Sequence, residues 1–400
     1  MNRYLYFIAA LMFCPGIVCA QEFSSPALHD KTNPKNAFAY IPQQDSTIEI
    51  TLSLVGDLMC HKPQTLNAKK ADGSYNFNPS FEYISPYLSQ ADLCIGNLET
   101  TFGGPDLPYA GYPAFNSPDE YATALKENGF DFLVSANNHS MDTGEEGLLR
   151  TLEVLKKNKL AYAGTYTSQS DHDSLRIVDV KGIKLGILNY TYGTNGSYPK
   201  ETHKYMLNII DSATISNEVK QLKKQGAEIV LVFYHFGIEN TAEPTQAQKD
   251  AVKYAWQAGA QLMIGAHPHV IGPVQYLEPF ETNPDSGFVA YSLGNFISNQ
   301  YWRYTDAGVI LTLHLQKNLT SAKISLRQAE YLPTWVYRAE KPAMKQHIVL
   351  PAGLYSQPAL LPVFIDSAMG KKMEEAFNDT KTILSKYNNR LEITPIIGKK

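Results

Sequence analysis

Cysteine is scarce, with four in 400 residues. Two of them, Cys14 and Cys19, fall in the first twenty, so a processed chain would keep only Cys60 and Cys94. That excludes a disulfide-stapled scaffold. A single Cys60–Cys94 bridge and two separate thiols both fit the sequence. Basic charge is not in excess either. Lys and Arg total 35 against 39 Asp and Glu, the net charge is -4 and the pI is near 6.2. Nucleic acid is therefore excluded as the expected partner. Beyond the first twenty residues no apolar run is long enough to cross a bilayer. There is no low-complexity tract and no solenoid repeat. What remains is 44% hydrophobic and 18% charged. That is enough for a sizeable core in one large domain, or in one plus a smaller addition. The 25 tyrosines would suit carbohydrate or peptide surfaces, but ordinary half-buried tyrosine accounts for them as well.

Residues 1–20 read as a secretory signal. Arg3 supplies the positive start, residues 5–13 an apolar stretch, and Val18-Cys19-Ala20 a small-residue cleavage site. The expectation is export across the cytoplasmic membrane with cleavage after Ala20, leaving a periplasmic or envelope-associated protein. A retained anchor is the weaker reading. Residues 21–46 are rich in Ser, Pro, Asn, Lys and Gln and read as a poorly ordered lead-in. Residues 47–400 are expected to form the functional domain, closed by a helical tail over residues 367–387.

Residues 48–55 alternate and are β-rich, which predicts a strand ending at Gly56-Asp57. Residues 91–95 predict a second, ending at Gly96-Asn97-Leu98-Glu99. A unit then recurs: helix, glycine, strand, polar cluster. In its first copy Ser117, Pro118 and Glu120 predict a capping box, Gly129 a stop, and residues 130–135 a strand before Asn137-Asn138-His139. In the second, Ile215, Val219 and Leu222 share a helix face, Gly226 stops it, and residues 229–234 lead to His235. In the third, Thr245 starts a helix carrying Val252, Ala255 and Trp256. Gly259 stops it, and residues 262–264 lead to His267-Pro268-His269. A further helix is expected over 143–158 and a hairpin over 175–190 turning at Lys181-Gly182. Later strands at 288–292, 309–315 and 322–328 read as antiparallel, and the last sixty or so residues show no second core. Helices alternating with short apolar strands give an α/β fold.

Strand ends are where an α/β sheet collects ligands and catalytic groups. Each cluster has an ordinary reading by itself. Gly-Asp is often a turn, Asn-Asn-His can cap a helix, and a lone His235 is more often a satisfied core residue. His267-Pro268-His269 is more specific, because its rings converge readily. Their joint occurrence points to a metal site, with Asp57, Glu99, Asn138, His235, His267 and His269 as candidate ligands. Glu99 also fits the role of orienting a histidine. His139 suits protonation of a leaving oxygen. His61 reads either as a ligand or as a polar loop residue. Two long loops, 101–116 with the aromatics Phe102, Tyr109, Tyr112 and Phe115 and 191–200, read equally as substrate walls and as surface loops with packed aromatics. Asn97, Asn137, Tyr112 and Asn295 are the candidate substrate contacts.

Taken as a set, Val55-Gly56-Asp57, Gly96-Asn97-Leu98-Glu99, Ala136-Asn137-Asn138-His139, His235-Phe236-Gly237-Ile238-Glu239, Gly265-Ala266-His267-Pro268-His269-Val270 and Tyr291-Ser292-Leu293-Gly294-Asn295-Phe296 resemble the CapA family of poly-γ-glutamate capsule biosynthesis proteins. The match runs in order over about residues 49–340, through Thr191-Tyr192-Gly193 and Leu332-Pro333-Thr334-Trp335. That family looks like a relative of calcineurin-like metallophosphoesterases. The resemblance implies a four-layer α/β/β/α sandwich of the metallo-dependent phosphatase type. It implies Asp57, Asn138, His235, His267 and His269 as ligands of one or two divalent ions, Mn, Zn or Fe, and His139 as the leaving-group acid after attack by metal-held hydroxide. Met59 stands where that broader pattern has a histidine, and Asn97-Leu98-Glu99 replaces its bridging aspartate. The expected partners are an anionic envelope polymer or its precursors and other capsule-synthesis membrane proteins. A non-catalytic polymer-binding or export-assembly protein, and an amidase acting on γ-glutamyl or cell-wall peptide bonds, are the competing readings.

Overall fold

Two β-sheets lie face to face with their polar strand ends on one edge. A computed structural model describes residues 46–279, 285–339, 346–387 and 390–397. The expected signal and lead-in, residues 1–46, lie outside the described residues except for Ser46. In chain order come β1 (Thr47–Leu58), α1 (Lys62–Ala68), α2 (Ser85–Leu88), β2 (Leu93–Leu98), α3 (Glu120–Glu127), β3 (Phe132–Val134), α4 (Gly144–Lys157) and β4 (Ala161–Ala163). There follow α5 (Gln169–Asp173), β5 (Arg176–Val180), β6 (Ile183–Thr191), α6 (Ser212–Lys224), β7 (Ile229–His235), α7 (Gln246–Ala258) and β8 (Leu262–Ala266). The rest are β9 (Val274–Leu277), β10 (Gly287–Ala290), β11 (Asn295–Ile297), β12 (Ala307–Asn318), β13 (Ile324–Arg338), β14 (His347–Pro351), α8 (Ser367–Ser385) and β15 (Glu392–Ile393).

The first sheet runs β14-β13-β12-β1-β2-β3-β4, with β11 added beside β1 and β15 beside β13; the second runs β5-β6-β7-β8-β10-β9. Strand alternation explains why they stack. On β7, Ile229, Leu231 and Phe233 join the core between the sheets, while Val230, Val232 and Tyr234 meet α6 and α7. On β1 and β2, Ile50, Leu52, Leu54, Leu93 and Ile95 enter the same central core. The far face of the first sheet packs Leu133 and Cys94 against Tyr121, Leu148 and Leu152 of α3 and α4. The order is thus helix, sheet, sheet, helix, as expected. Each large apolar side chain so buried contributes about 1.5–3 kcal/mol. Buried ion pairs contribute little net stability. The layers therefore hold the polar edge in place, not the reverse.

Several local expectations stand. Thr245 caps α7 through the backbone N–H of Gln248, Gly129, Gly226 and Gly259 all take positive φ, and Lys181 and Gly182 (φ 50° and 88°) turn the β5–β6 hairpin. Others need correction. The helix after Ser117 starts at Glu120 behind Asp119, and the Ser117 hydroxyl pairs with Thr100 instead of capping. β10 is parallel to β8 and antiparallel only to β9, because the chain runs out through β9 at the sheet edge and returns between β9 and β8. The C-terminal segment does build a small core: Trp335, Tyr337, Ile348, Leu350, Leu354, Ile365, Met373 and Ala376 cluster under α8. Cys60 and Cys94 are both buried free thiols. Among the described residues, no helix is long and apolar enough to cross a membrane.

Candidate metal centre

Three devices aim the polar residues at one point. The first is a bulge. Val55 and Leu58 both face the helix side of the first sheet, so strict alternation would send Asp57 there with Val55. The pairing with β2 shifts between Val55 and Asp57 and turns the carboxylate toward the second sheet. Gly56 permits this, since a Cβ there would lie 2.0 Å from the carbonyl oxygen of Gly294. The second is plain alternation: Asn97 and Glu99 continue the inward face begun by Leu93 and Ile95. The third is strain. His267 and His269 take left-handed backbone (φ 98° and 59°), which non-glycine residues adopt at a cost. The turn through Pro268 thereby folds both rings inward.

The result is a sealed cluster. Asp57 Oδ1 accepts from Asn97 Nδ2 at 2.8 Å, and Asp57 Oδ2 meets His269 Nδ1 at 3.0 Å. His235 Nε2 lies 2.8 Å from Asn138 Oδ1 and 3.7 Å from Glu99 Oε1; His269 Nε2 lies 3.9 Å from that same oxygen. The rings of His235 and His267 are 4.7 Å apart, those of His267 and His269 6.0 Å. All six expected ligands therefore converge. Asp57, Glu99 and His235 form one group with ligand atoms within 4.8 Å of one another, and Glu99, His267 and His269 another.

The electrostatics leave this cluster short of positive charge. Glu99 is fully buried; burial and then the charge of Asp57 push its carboxyl well above the usual range. Burial drives His235 well below the ordinary imidazole value and His267 down to about 3, so both rings are neutral ligand donors. For Asp57 and His269 burial is opposed by their mutual contact, which wins: the carboxyl is lowered and the imidazole raised. Glu99 Oε1 and His267 Nδ1 are buried with no hydrogen-bond partner. Two ligands each about 2.0–2.2 Å from a shared cation lie roughly 3–3.5 Å apart. The 3.7 and 3.9 Å gaps at Glu99, too long for hydrogen bonds, are close to that spacing. The residues present fit a divalent ion.

His139 lies beside this cluster. Its Nδ1 meets Asp142 Oδ2 at 2.7 Å, and Phe115 packs edge-on at 4.6 Å. Asp142 also accepts the Phe115 backbone N–H at 2.6 Å. The four candidate substrate contacts divide differently. Asn97, Asn137 and Asn295 are buried with their amides used inside the protein: Asn97 on Asp57, Asn137 on the carbonyl of Leu98, Asn295 on Gln300 and the carbonyl of Thr305. Asn97 and Asn295 sit directly across from Asp57 on either side. Tyr112 is 76% exposed. Met59 is buried, with its sulfur near the Ser298 hydroxyl and its carbonyl accepting from Gln64.

Sequence reading missed Asp142, Tyr192 and Asn195 as individuals. The Tyr192 ring lies 4.6 Å from His267, and Asn195 bonds the backbone and side chain of Asn138 and reaches His139. The loop 191–200 is thus a wall of the site. An acid three residues after His139 was the available signal for Asp142.

Fold and cluster define a two-sheet α/β protein with a buried carboxylate–histidine cluster, suited to a divalent ion, at its parallel strand ends. The chain belongs to the family described as bacterial capsule synthesis protein PGA_cap, which matches residues 51–300. It is 29% identical over 280 residues to capsule biosynthesis protein CapA of Bacillus anthracis, covering 68% of this chain and 66% of that protein, just under two thirds of its length. It is 26% identical over 315 residues to PGA biosynthesis protein CapA of Bacillus subtilis (strain 168), covering 75% and 77%. Among solved structures it is similar to Haemophilus influenzae NAD nucleotidase (TM-score 0.45, 12% identity, 88% of this chain and 65% of that one). It is also similar to a Mycoplasma pneumoniae phosphatase (TM-score 0.43, 12% identity, 72% and 94%).

Proposed function

We propose that this protein is a metal-dependent hydrolase of capsule or envelope-polymer biosynthesis, exported from the cytoplasm and acting on an anionic polymer or its precursors alongside other capsule-synthesis proteins. The observation that carries the reading is the unpartnered pair Glu99 Oε1 and His267 Nδ1 inside a cluster that also holds Asp57, His235, His269 and the Asn138 carbonyl oxygen. One or two ions of Mn, Zn or Fe suit this mixed N/O set. When bound, such an ion supplies Lewis acidity and a hydrolytic nucleophile at neutral pH.

The chain's own residues would do the rest. Asn97 and Asn295, set on strands flanking Asp57, hold the carboxylate and His269 in orientation. Asn137 accepts the His139 N–H at 3.0 Å and fixes that residue's entry into the site. Asp142, 2.7 Å from Nδ1, would orient His139 so that its other ring nitrogen delivers a proton to the departing oxygen. Tyr192 and the loop 101–116 restrict water around the centre.

Protein purified without chelator should carry metal by elemental analysis, and His267→Ala should lose it together with aryl-phosphate hydrolysis. Unchanged metal content in that variant would refute the assignment. One observation favours a binding protein without turnover: Met59, in the position where the broader pattern has a ligand, turns its sulfur to Ser298. Metal-loaded protein that binds polymer but cleaves neither phosphoester nor γ-glutamyl amide would support that second reading.

A further inference from the structure

His61 belongs to neither ligand group, yet its surroundings are specific. It follows β1 by three residues and opens α1. Its ring packs edge-on to Phe115 at 5.0 Å, and Phe115 packs on His139 at 4.6 Å. The two imidazoles therefore flank one aromatic ring. His269 and His139 are close enough for positive charge on them to oppose protonation of this ring, in addition to the larger effect of burial.

The tautomer follows from its neighbours. The backbone N–H of Asn299 points at Nδ1 from 3.3 Å. A backbone N–H can only donate, so Nδ1 is the acceptor and Nε2 carries the proton. Gln64 Oε1 also lies 3.2 Å from Nδ1 and has a lone pair to spare beside the His61 backbone N–H it accepts at 2.8 Å, but the Gln64 backbone N–H is directed at the His61 side chain through the capping box, a second donor that favours the accepting Nδ1. Asn299 is itself pinned: its Oδ1 takes His347 Nε2 at 2.8 Å, and Asn67 Nδ2 holds His347 Nδ1 at 3.0 Å. Burial pushes His347 to about 3 and His61 to about 4, so both rings are neutral. The Nε2–H of His61 has no partner among the described residues, and the ring is only half-buried. A donor whose orientation is fixed through two further residues, left open beside a cation-binding cluster, matches an oxygen carrying negative charge.

We propose that His61 anchors the substrate: its Nε2–H donates to a phosphoryl or carboxylate oxygen of the group held at the metal centre. The inference rests on the metal-centre reading above and adds the residue that recognises the anion. His61 would position substrate without serving as a ligand or as the proton donor.

The test is calorimetric titration of the metal-loaded full chain with inorganic phosphate and, separately, with glutarate. His61→Phe keeps a ring against Phe115 and removes the donor, whereas His61→Gln keeps an N–H. The expected result is unchanged metal content and melting temperature in both variants. Affinity should fall about tenfold or more in His61→Phe and less in His61→Gln. The probe that shows the difference identifies the substrate group as phosphoester or carboxylate. His61→Phe binding both probes as tightly as the unmodified protein overturns the inference and leaves the metal centre standing. So does metal-loaded unmodified protein that binds neither. Unmodified protein that holds no metal overturns the underlying reading instead.

Discussion

Asp57 has its oxygens shared out among an amide, an imidazole and, at 3.4 Å, the backbone N–H of His267. Removing one donor from a buried carboxylate leaves a charge short of partners and a ligand free to swing. Asn97→Ala should therefore weaken metal binding about 10–100-fold while the fold survives, as read by competition with a chelator. Sequence reading named Asn97 as a substrate contact, and its position is instead consistent with an orienting role behind the ligands. The six ligand candidates were legible because each follows an apolar run. The asparagine contacts were not, since an asparagine that bonds a carboxylate and one that binds substrate look alike in a sequence.

Elements bring these residues into range. α7 illustrates how local rules hold where nothing opposes them. Its start at Thr245, apolar face and Gly259 stop were all readable, and all are present, with a capping box between Thr245 and Gln248 besides. Thr245→Ala should lower unfolding free energy by about 1 kcal/mol in urea titration, with metal content unchanged, because α7 lies on the outer face. Around Ser117 the same signature fails. Tertiary hydrogen bonding of its hydroxyl to Thr100 outcompetes the cap. The bulge at Gly56 was invisible as a bulge. A strand-end Gly-Asp reads as a turn, and only the approach of Gly294 reveals why glycine is needed there.

The tail and the later strands bear on the whole molecule's stability. Asp306 immediately precedes β12 and accepts from Trp335 Nε1 of β13 at 2.9 Å. Burial raises its carboxyl from 3.8 to about 6. A raised folded value means the native state holds the proton more tightly than the unfolded chain. Stability should then fall as pH rises from about 4 to about 6, by at most about 3 kcal/mol from this group. Asp306→Asn, which keeps an acceptor for Trp335, should remove that fall. It should match the unmodified protein near pH 4 and melt higher at pH 7, checked by thermal unfolding across that range. An unchanged pH profile would show that Asp306 is not responsible.

The alternation of helices with the main strands, the helix stops and the family's motif set were written in local pattern. Periodicity of two and of 3.6 records which face is buried, and glycines mark where helices stop. What needed the folded chain was distance. The imidazoles of His235 and His267 are 32 residues apart in sequence and 4.7 Å apart in space. Asp57 reaches His269 across 212 positions. No local pattern encodes such meetings; they arise because two twisted sheets, each indifferent to the chemistry at its rim, bury their apolar faces against one another.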